Sequence, residues 1–467
     1  MCGINGKITT KQDSINHGLI EEMNQEISYR GPDAQGVEVF KNEQSFIGLG
    51  HQRLKIIDLS NNANQPFYSE DKNIILVFNG EIYNFQRLKQ EHLRDEQFQT
   101  NSDTEVIIKM YQKFGIGFVE KLIGMFAIAL YDKKLQKLFL IRDHLGKKPL
   151  FYYKDDNSLI FSSQIRPILK SNEVKKELNL TALNDYFSFN YIFGENTIYQ
   201  KIKKLPPATY LEYHNNEITI KQYWDLPHTV DKSITEEDAL KKCEDLIKDS
   251  INLRLISDVP LGAFLSGGID SSLIVAMMAE KQAKVKTFSI GFEESDFNEL
   301  AYAKIIADQY KTEHYEFIVK PNAFEIIDDL LTAYDEPYAD PSQIPMYYLS
   351  KFTKEKVTVA LNGDGGDEAF AGYERYKGMI YQSYYRYIPK PLRYAIYQLI
   401  KNIPENTQHT SLIRQFKWLN RISLKNIDEA YLKAEKSFRD KEKKLIYQEN
   451  MKIAIDSGIA IDEFKEK

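Results

Sequence analysis

Cysteine is scarce in this chain: Cys2 and Cys243 are the only two among 467 residues. Two thiols cannot build a disulfide framework and are too few for a cysteine-rich zinc site, so a reducing compartment and a cytoplasmic location are expected. Long apolar runs are missing as well. The first ten residues hold no apolar signal-peptide core, and the longest apolar stretch, 122–131, falls short of the roughly 18 residues that cross a bilayer. Nor is there an excess of charge. With 61 Lys+Arg against 67 Asp+Glu the net charge is −6, which supplies no field for nucleic acid or an anionic membrane. Small solutes are the expected partners. No internal repeat or low-complexity tract interrupts the sequence.

What is present is ample apolar material, 43% of the residues with 12% aromatic, enough for at least two cores. Up to about residue 161 the pattern is one of short strands, at 74–78, 125–131 and 138–141, with a capped amphipathic helix beginning at Ser102-Asp103-Thr104-Glu105. This predicts an α+β unit with antiparallel sheets. From about residue 233 strands at 261–265, 285–290, 314–319 and 357–361 alternate with helical patterns, which predicts an α/β doubly wound parallel sheet. The expected division is 2–185, a connecting segment 186–232, and 233–467. The stretch 375–425 carries ten Lys/Arg interleaved with tyrosine; it reads as surface helices whose Tyr and Leu side chains face a core. Cys243 reads as a small buried hydrophobe.

Two places carry chemistry. Cys2 follows the initiator methionine and is small enough for that methionine to be removed, which makes its own α-amine, titrating near 8, a built-in base for the thiol. Further on, the strand 261–265 runs into Ser266-Gly-Gly-Ile-Asp-Ser-Ser272 and then an apolar helix. Such a junction binds phosphate through free N–H groups and the helix dipole. It lacks the spacing and the lysine of a Walker loop, so γ-phosphoryl transfer is not implied. A second glycine cluster, Asn362-Gly-Asp-Gly-Gly-Asp-Glu368, follows the strand 357–361, at the end of the sheet where open α/β folds place ligands. It is not a dinucleotide fingerprint, because Glu368 stands where the last glycine would be. Asn79-Gly80 after the strand 74–78 reads as a tight turn that presents donors.

Cys2 keeps company with Arg30-Gly-Pro-Asp33, Gly50-His-Gln-Arg-Leu54, Asn79-Gly-Glu-Ile-Tyr-Asn84, Ser102-Asp103, Gly124-Met-Phe-Ala127, Arg142-Asp-His-Leu-Gly146 and Pro149-Leu-Phe-Tyr152. Together these resemble the glutaminase domain of class II amidotransferases, N-terminal-nucleophile hydrolases with antiparallel sheets sandwiched between helices. The heptad 266–272 resembles the pyrophosphate loop of the ATP pyrophosphatases. Both occur in order in the glutamine-hydrolysing asparagine synthetases. The resemblance implies Cys2 as nucleophile, an oxyanion hole at Asn79 and Gly80, and glutamine held by Arg53, Leu54, Lys55, Ile56, Ile57, Asn79, Gly80, Glu81 and Asp103, with Arg53 as a bidentate fork for the carboxylate. For ATP it implies Leu265, Ser266, Gly267, Gly268, Asp270, Ser271, Ser272, Ile290, Asn362 and Gly363, with Asp364 acting at an adenylate and Asp270 and Asp367 as Mg2+ ligands. Asp335-Glu336-Pro337 is expected in the active-site wall.

The implied reaction is ATP- and glutamine-dependent amidation of a carboxylate, aspartate first, through an acyl-adenylate, by a homodimer. Another carboxylate, of a surface sugar or a peptide, and a glutamine- or nucleotide-binding regulator are the alternatives. Asn362 and Asp364 stand where many relatives carry Ser and Glu, and Gln164 where a Glu is common. A late family segment, with a Lys-x-Asp pair and an E-x-R-x-P-x-L-D run, does not occur before Lys467. A 233–467 domain incomplete at its C-terminus is therefore expected, with glutamine hydrolysis retained and AMP formation slow or absent.

Overall fold

The computed structural model describes residues 1–43, 45–293, 299–320, 322–404, 412–425, 431, 437–438, 440–449 and 451. Twelve strands form two antiparallel sheets. In chain order they are β1 (Gly3–Thr9), β2 (Ala34–Asn42), β3 (Ser45–Arg53), β4 (Phe67–Tyr68), β5 (Ile74–Ile82), β6 (Gly124–Asp132), β7 (Lys137–Arg142), β8 (Phe151–Lys154), β9 (Ser158–Ser162), β10 (Ile202–Lys204), β11 (Thr209–His214) and β12 (Glu217–Gln222). One sheet has the order β10-β8-β9-β1-β3-β2 and the other β12-β11-β7-β6-β5-β4.

Strand periodicity explains how they stack. Along β5, Ile75 and Val77 point to one side and join Ile4, Ile8, Ile47 and Leu49 of the other sheet in a shared core. Ile74, Leu76 and Phe78 point the other way and pack with Val106, Ile107 and Met110 of the helix Asp103–Phe114. The far face of the first sheet, through Ile160 and Phe151, is covered by Ile20 and Met23 of the helix His17–Gln25. Alternate residues of a strand thus feed two different cores, and the result is a helix–sheet–sheet–helix sandwich. Each fully buried aliphatic side chain contributes about 1.5–3 kcal/mol.

Four more strands, β13 (Leu261–Phe264), β14 (Lys286–Phe292), β15 (Glu313–Val319) and β16 (Val359–Leu361), form a parallel sheet of order β15-β14-β13-β16. The chain winds outward from β13 to β15, then crosses back to place β16 on the other side. A reversal of this kind is where doubly wound sheets bind ligands. Val275 and Met278 of the helix Ile269–Lys281 close one face over Ala263 and Leu265.

The compact units do not follow the order of the chain. Residues Met1–Ala182 and Ile192–Leu361 form one unit, and Leu183–Tyr191 with the described residues from Asn362 onward form another. Both sheets of the sandwich and the parallel sheet belong to the first.

In the second unit the tyrosine-rich helices Glu374–Tyr385, Lys390–Ile400 and Leu412–Ser423 are built opposite to the expectation. Tyr381, Tyr384 and Tyr394 are exposed, whereas Gln382, Arg393 and Asn420 are buried. Their buried donors are met: Gln382 donates to the Ile422 carbonyl at 3.0 Å, Arg393 to Ile388 at 2.8 Å, and Asn420 to the Tyr385 hydroxyl at 2.7 Å, while the side-chain oxygens of Gln382 and Asn420 have no donor among the described residues. Cys243 is half-buried, not sequestered. No helix of the described residues is long and apolar enough to cross a membrane.

Candidate functional site

Cys2 sits at the start of β1, which lies inside its sheet between β3 and β9. The strand register fixes what surrounds it. Gly3 pairs with Gln52, so the end of β3 and the segment after it pass beside the thiol, and the Leu54 N–H points at Sγ from 3.3 Å. Arg30 donates from Nε to the Cys2 carbonyl at 3.0 Å. Burial pushes the thiol pKa up, against the Leu54 N–H and the nearby positive charges. The same burial pulls the terminal amine down to about 5 in the full chain, so that it is neutral at pH 7.

Arg53 ends β3, and its guanidinium is not the open fork the sequence suggests. Nη1 donates to the Ser60 carbonyl at 2.8 Å and to Asn64 at 2.7 Å; Nη2 donates to the carbonyls of Asp58 at 2.5 Å and Ile57 at 3.4 Å. The segment after β3 leaves these acceptors without strand partners, and arginine meets them. Arg53 therefore braces the loop of Leu54, Lys55, Ile56 and Ile57. Lys55 N–H is fixed by Asp33 at 2.8 Å.

The expected turn at Asn79-Gly80 is also absent. β5 continues through both residues to Ile82, with Asn79 opposite Ala127 and Gly80 opposite Phe126. Gly80 serves a close approach: a Cβ there would lie 2.1 Å from the Met125 carbonyl oxygen. Asn79 is fully buried; its amide reaches Ser163 at 3.5 Å and its side-chain oxygen has no donor among the described residues.

Ser102 caps the helix Asp103–Phe114, accepting from Thr104 N–H at 3.0 Å. Glu105 accepts from the N–H groups of Gln99 and Thr100, at 2.9 and 2.8 Å. Asp103, buried in the first turn, accepts from Ile82 N–H at 2.9 Å, and that bond brings it to the end of β5 near Glu81. Burial raises Asp103 to about 6. Burial, and then the Asp103 charge, raise Glu81 to about 7. Two crowded carboxylates in one low-dielectric place make a site that gains by accepting a cation.

At the parallel sheet, Leu265 N–H bonds the Phe288 carbonyl at 2.9 Å, and the next residues turn sharply into the helix Ile269–Lys281. Gly267 holds φ +84°, and a Cβ on it would meet the Ala303 nitrogen at 2.5 Å. Ser266 and Ser271 brace the turn, their hydroxyls 3.0 Å apart and Gly268 N–H on Ser266 at 3.2 Å. The helix has no side-chain cap, and the buried Ser272 hydroxyl has no partner among the described residues. Unfilled donors at a helix N-terminus suit phosphate. Ile290 lies in β14. Asn362, Gly363, Asp364 and Asp367 fall in the second unit, where Asn362 donates to Asp364 at 2.6 Å and Gly363 accepts from Gly366 N–H at 3.2 Å. No group of three potential metal-ligating side chains occurs among the described residues.

The sandwich and the parallel-sheet region are joined within the first unit. Asp335 pairs with Arg166 at 2.8 Å and Glu336 with Lys204 at 2.6 Å, so the segment expected in an active-site wall ties the two halves. Gln164, singled out as a departure, donates to the Ala333 carbonyl at 2.9 Å and accepts from Tyr29 at 2.6 Å. A cavity of about 790 Å³ lies between the halves, lined by Met1, Arg30, Leu54, Phe264, Lys354 and Ala360 among others. Sequence reasoning passed over Lys148, whose buried ammonium lies 2.8 Å from the Met1 sulfur; a lysine in a glycine- and proline-flanked loop carries no local signal of burial.

The glutamine amidotransferase domain model matches residues 1–224 and the asparagine synthase model residues 242–456. A Methanocaldococcus jannaschii protein, provisionally named glutamine-hydrolysing asparagine synthetase 2, is 40% identical over 417 residues, 84% of this chain and 79% of its own. Glutamine-hydrolysing asparagine synthetase 1 of Bacillus subtilis is 36% identical over 423 residues, covering 89% of this chain but 66% of that protein. Among solved structures, the glutamine phosphoribosylpyrophosphate amidotransferase of B. subtilis aligns with TM-score 0.36 at 14% identity, over 69% of this chain and 70% of that one.

Proposed function

We propose, from the premise that this chain belongs to the glutamine-hydrolysing asparagine synthetase family, that it transfers the amide nitrogen of glutamine to an ATP-activated carboxylate, aspartate being the acceptor. The observation that carries this reading is the seat of Cys2: its sulfur lies against the Leu54 N–H, with the buried and mutually crowded carboxylates of Glu81 and Asp103 nearby. With Met1 removed, the α-amine of Cys2 takes the thiol proton and sulfur attacks the side-chain amide carbon. The Asn79 amide and Gly80 N–H receive the charge that develops on oxygen. The proton passes to the departing nitrogen, ammonia leaves, and water releases glutamate from the thioester. Asp103 and Glu81 hold the substrate ammonium. The Arg53-braced loop 54–57, with the charge of Arg53 behind it, takes the α-carboxylate.

At the second site the N-terminus of the helix Ile269–Lys281 and the unpartnered Ser272 hydroxyl fit the phosphates of ATP. Leu265 and Ile290 lie at the carboxyl ends of their strands, where main-chain groups read adenine; Asn362 and Gly363 are assigned to ATP on the family pattern alone. Asp270, in the first turn of that helix, makes no hydrogen bond or ion pair through its carboxylate among the described residues and fits a Mg2+ ligand beside phosphate oxygens; Asp367 is the second ligand on the family pattern. The bound ion would neutralise phosphate charge. The acceptor carboxylate attacks the α-phosphorus, pyrophosphate departs, and ammonia displaces AMP from the adenylate with Asp364 assisting. The cavity lined by Met1 and Leu54 at one side and Phe264 and Ala360 at the other offers ammonia a short path between the two regions. We place the reaction in the cytoplasm, with the enzyme a homodimer.

The test is to incubate the protein with glutamine, ATP, Mg2+ and a panel of carboxylates. AMP, pyrophosphate and glutamate formed with aspartate support the reading; ADP and orthophosphate as the only nucleotide products refute adenylylation.

A further inference from the structure

Lys148 stands in the loop between β7 and β8, and its main chain is clamped. Its N–H donates to Asp143 at 2.9 Å, while its carbonyl accepts from Arg142 Nε at 3.0 Å. The side chain is thereby aimed inward from a fixed mount, and the residue is only 3% exposed. Buried ammonium groups are almost always paired. Among the described residues this one has a single partner, the thioether of Met1 at 2.8 Å. That partner is the residue whose removal exposes the Cys2 amine.

We propose that Lys148 is a positioning residue of the glutaminase site: excision of Met1 leaves its ammonium facing the new α-amine, the Cys2 thiol and Glu81, where its charge sets the pH range in which the nucleophile is ready. The proposal rests on Cys2 being the nucleophile. A positive charge in that place disfavours protonation of the amine and favours the thiolate, the two conditions for attack. The directions in the full chain agree, since after burial and the opposing Cys2 charge Lys148 is the next influence lowering the amine, and it lowers the thiol as well. Burial brings Lys148 itself down to about 8, against the pull of Glu81, so it is charged at pH 7. The Glu81 carboxylate likewise accepts no hydrogen bond from the described residues, which leaves it open to the ammonium once the sulfur is gone.

The other charged groups around this place are Arg30, Arg53 at the end of β3, Asp103, Asp143, Arg254 and Lys354. Arg30, Arg53 and Lys354 act in the same sense as Lys148 on the amine or the thiol, so its loss shifts the titration without abolishing readiness.

The test uses the Met1-free enzyme with Lys148→Met and Lys148→Arg, reading the pH profile of kcat/KM for glutamine hydrolysis and the alkylation rate of Cys2 by iodoacetamide, followed by peptide mass spectrometry. Loss of the charge should move the acid limb up by about one pH unit and slow alkylation at pH 7 several-fold. Lys148→Arg should restore both. If Lys148→Met does not fold, Lys148→Gln makes the same comparison. An acid limb that stays in place, or an arginine variant that behaves like the methionine one, overturns the proposal and leaves Lys148 a packing residue. Failure of the underlying reading looks different: Cys2→Ala would then still hydrolyse glutamine.

Discussion

The sandwich and the parallel-sheet region of the first unit assemble their sites from different parts of the chain. Around Cys2 the groups are side chains on interior strands and a helix start, nearly all buried, and several are fixed by a bond to a residue distant in sequence. Asp103 to Ile82 and Cys2 to Leu54 are examples. Around Gly267 the groups are main-chain N–H donors and short serines bonded within one turn of chain. The apolar side chains differ in the same way: the sandwich hides nearly all of its own, while Ile269 and Phe324 are 86% and 89% exposed. A site made of charged side chains needs a dry, prebuilt frame, because the fields that perturb Glu81 and Asp103 vanish in water. A site made of backbone donors needs only a conformation.

If that contrast is right, the largest effect should come from the nucleophile. Cys2→Ala should lower glutamine hydrolysis by at least about 10³-fold while leaving ammonia-driven amidation in place, as measured by glutamate release against AMP formation. Removing a frame residue should come next. Asp103→Asn should raise the KM for glutamine about 10- to 100-fold through loss of a charge-assisted contact, with little change in ATP binding. On the other side a conformational change is the sharper probe. Gly267→Ala places a Cβ at φ +84° against the Ala303 nitrogen, a strain of about 1–2 kcal/mol before the clash. AMP formation should fall about tenfold or more and glutaminase activity should hold; equal losses in both would dissolve the contrast.

The smallest expected effect is in pH. On the proposed reading the ammonium of glutamine binds the ionised carboxylates, whose free-enzyme values are raised to about 7 for Glu81 and about 6 for Asp103. As pH falls through that range both must lose a proton to bind substrate, so the KM for glutamine should climb several-fold between pH 7.5 and 5.5. Asn in place of Asp103 should flatten that rise, and a KM independent of pH would show that these groups do not meet the ammonium.

The strands at 74–78, 125–131 and 138–141 were legible because short continuous apolar runs bounded by polar residues suit strands buried on both faces, and the helix at Ser102 was legible from its cap. Asn79-Gly80 misled, since the pair is a strong turn signal and what overrode it is a neighbouring strand 45 residues away in sequence, whose Met125 carbonyl leaves room only for glycine. The tyrosine helices misled for a related reason: Gln382 and Asn420 are buried where their partners are, and partners are not local. Arg53 read as an open fork for a carboxylate, but the four acceptors that occupy it come from the path of the following loop.

The sequence by itself determined the two kinds of sheet, the order of the two chemistries along the chain and the phosphate-suited turn at 266–272, because each depends on spacing within about ten residues. Tertiary structure alone decided that Glu81 and Asp103 crowd one another, that Asp335 and Glu336 pair across to Arg166 and Lys204, and that Lys148 lies against Met1. Those depend on distance and burial, and both are set by strand register and packing between segments that the sequence keeps far apart.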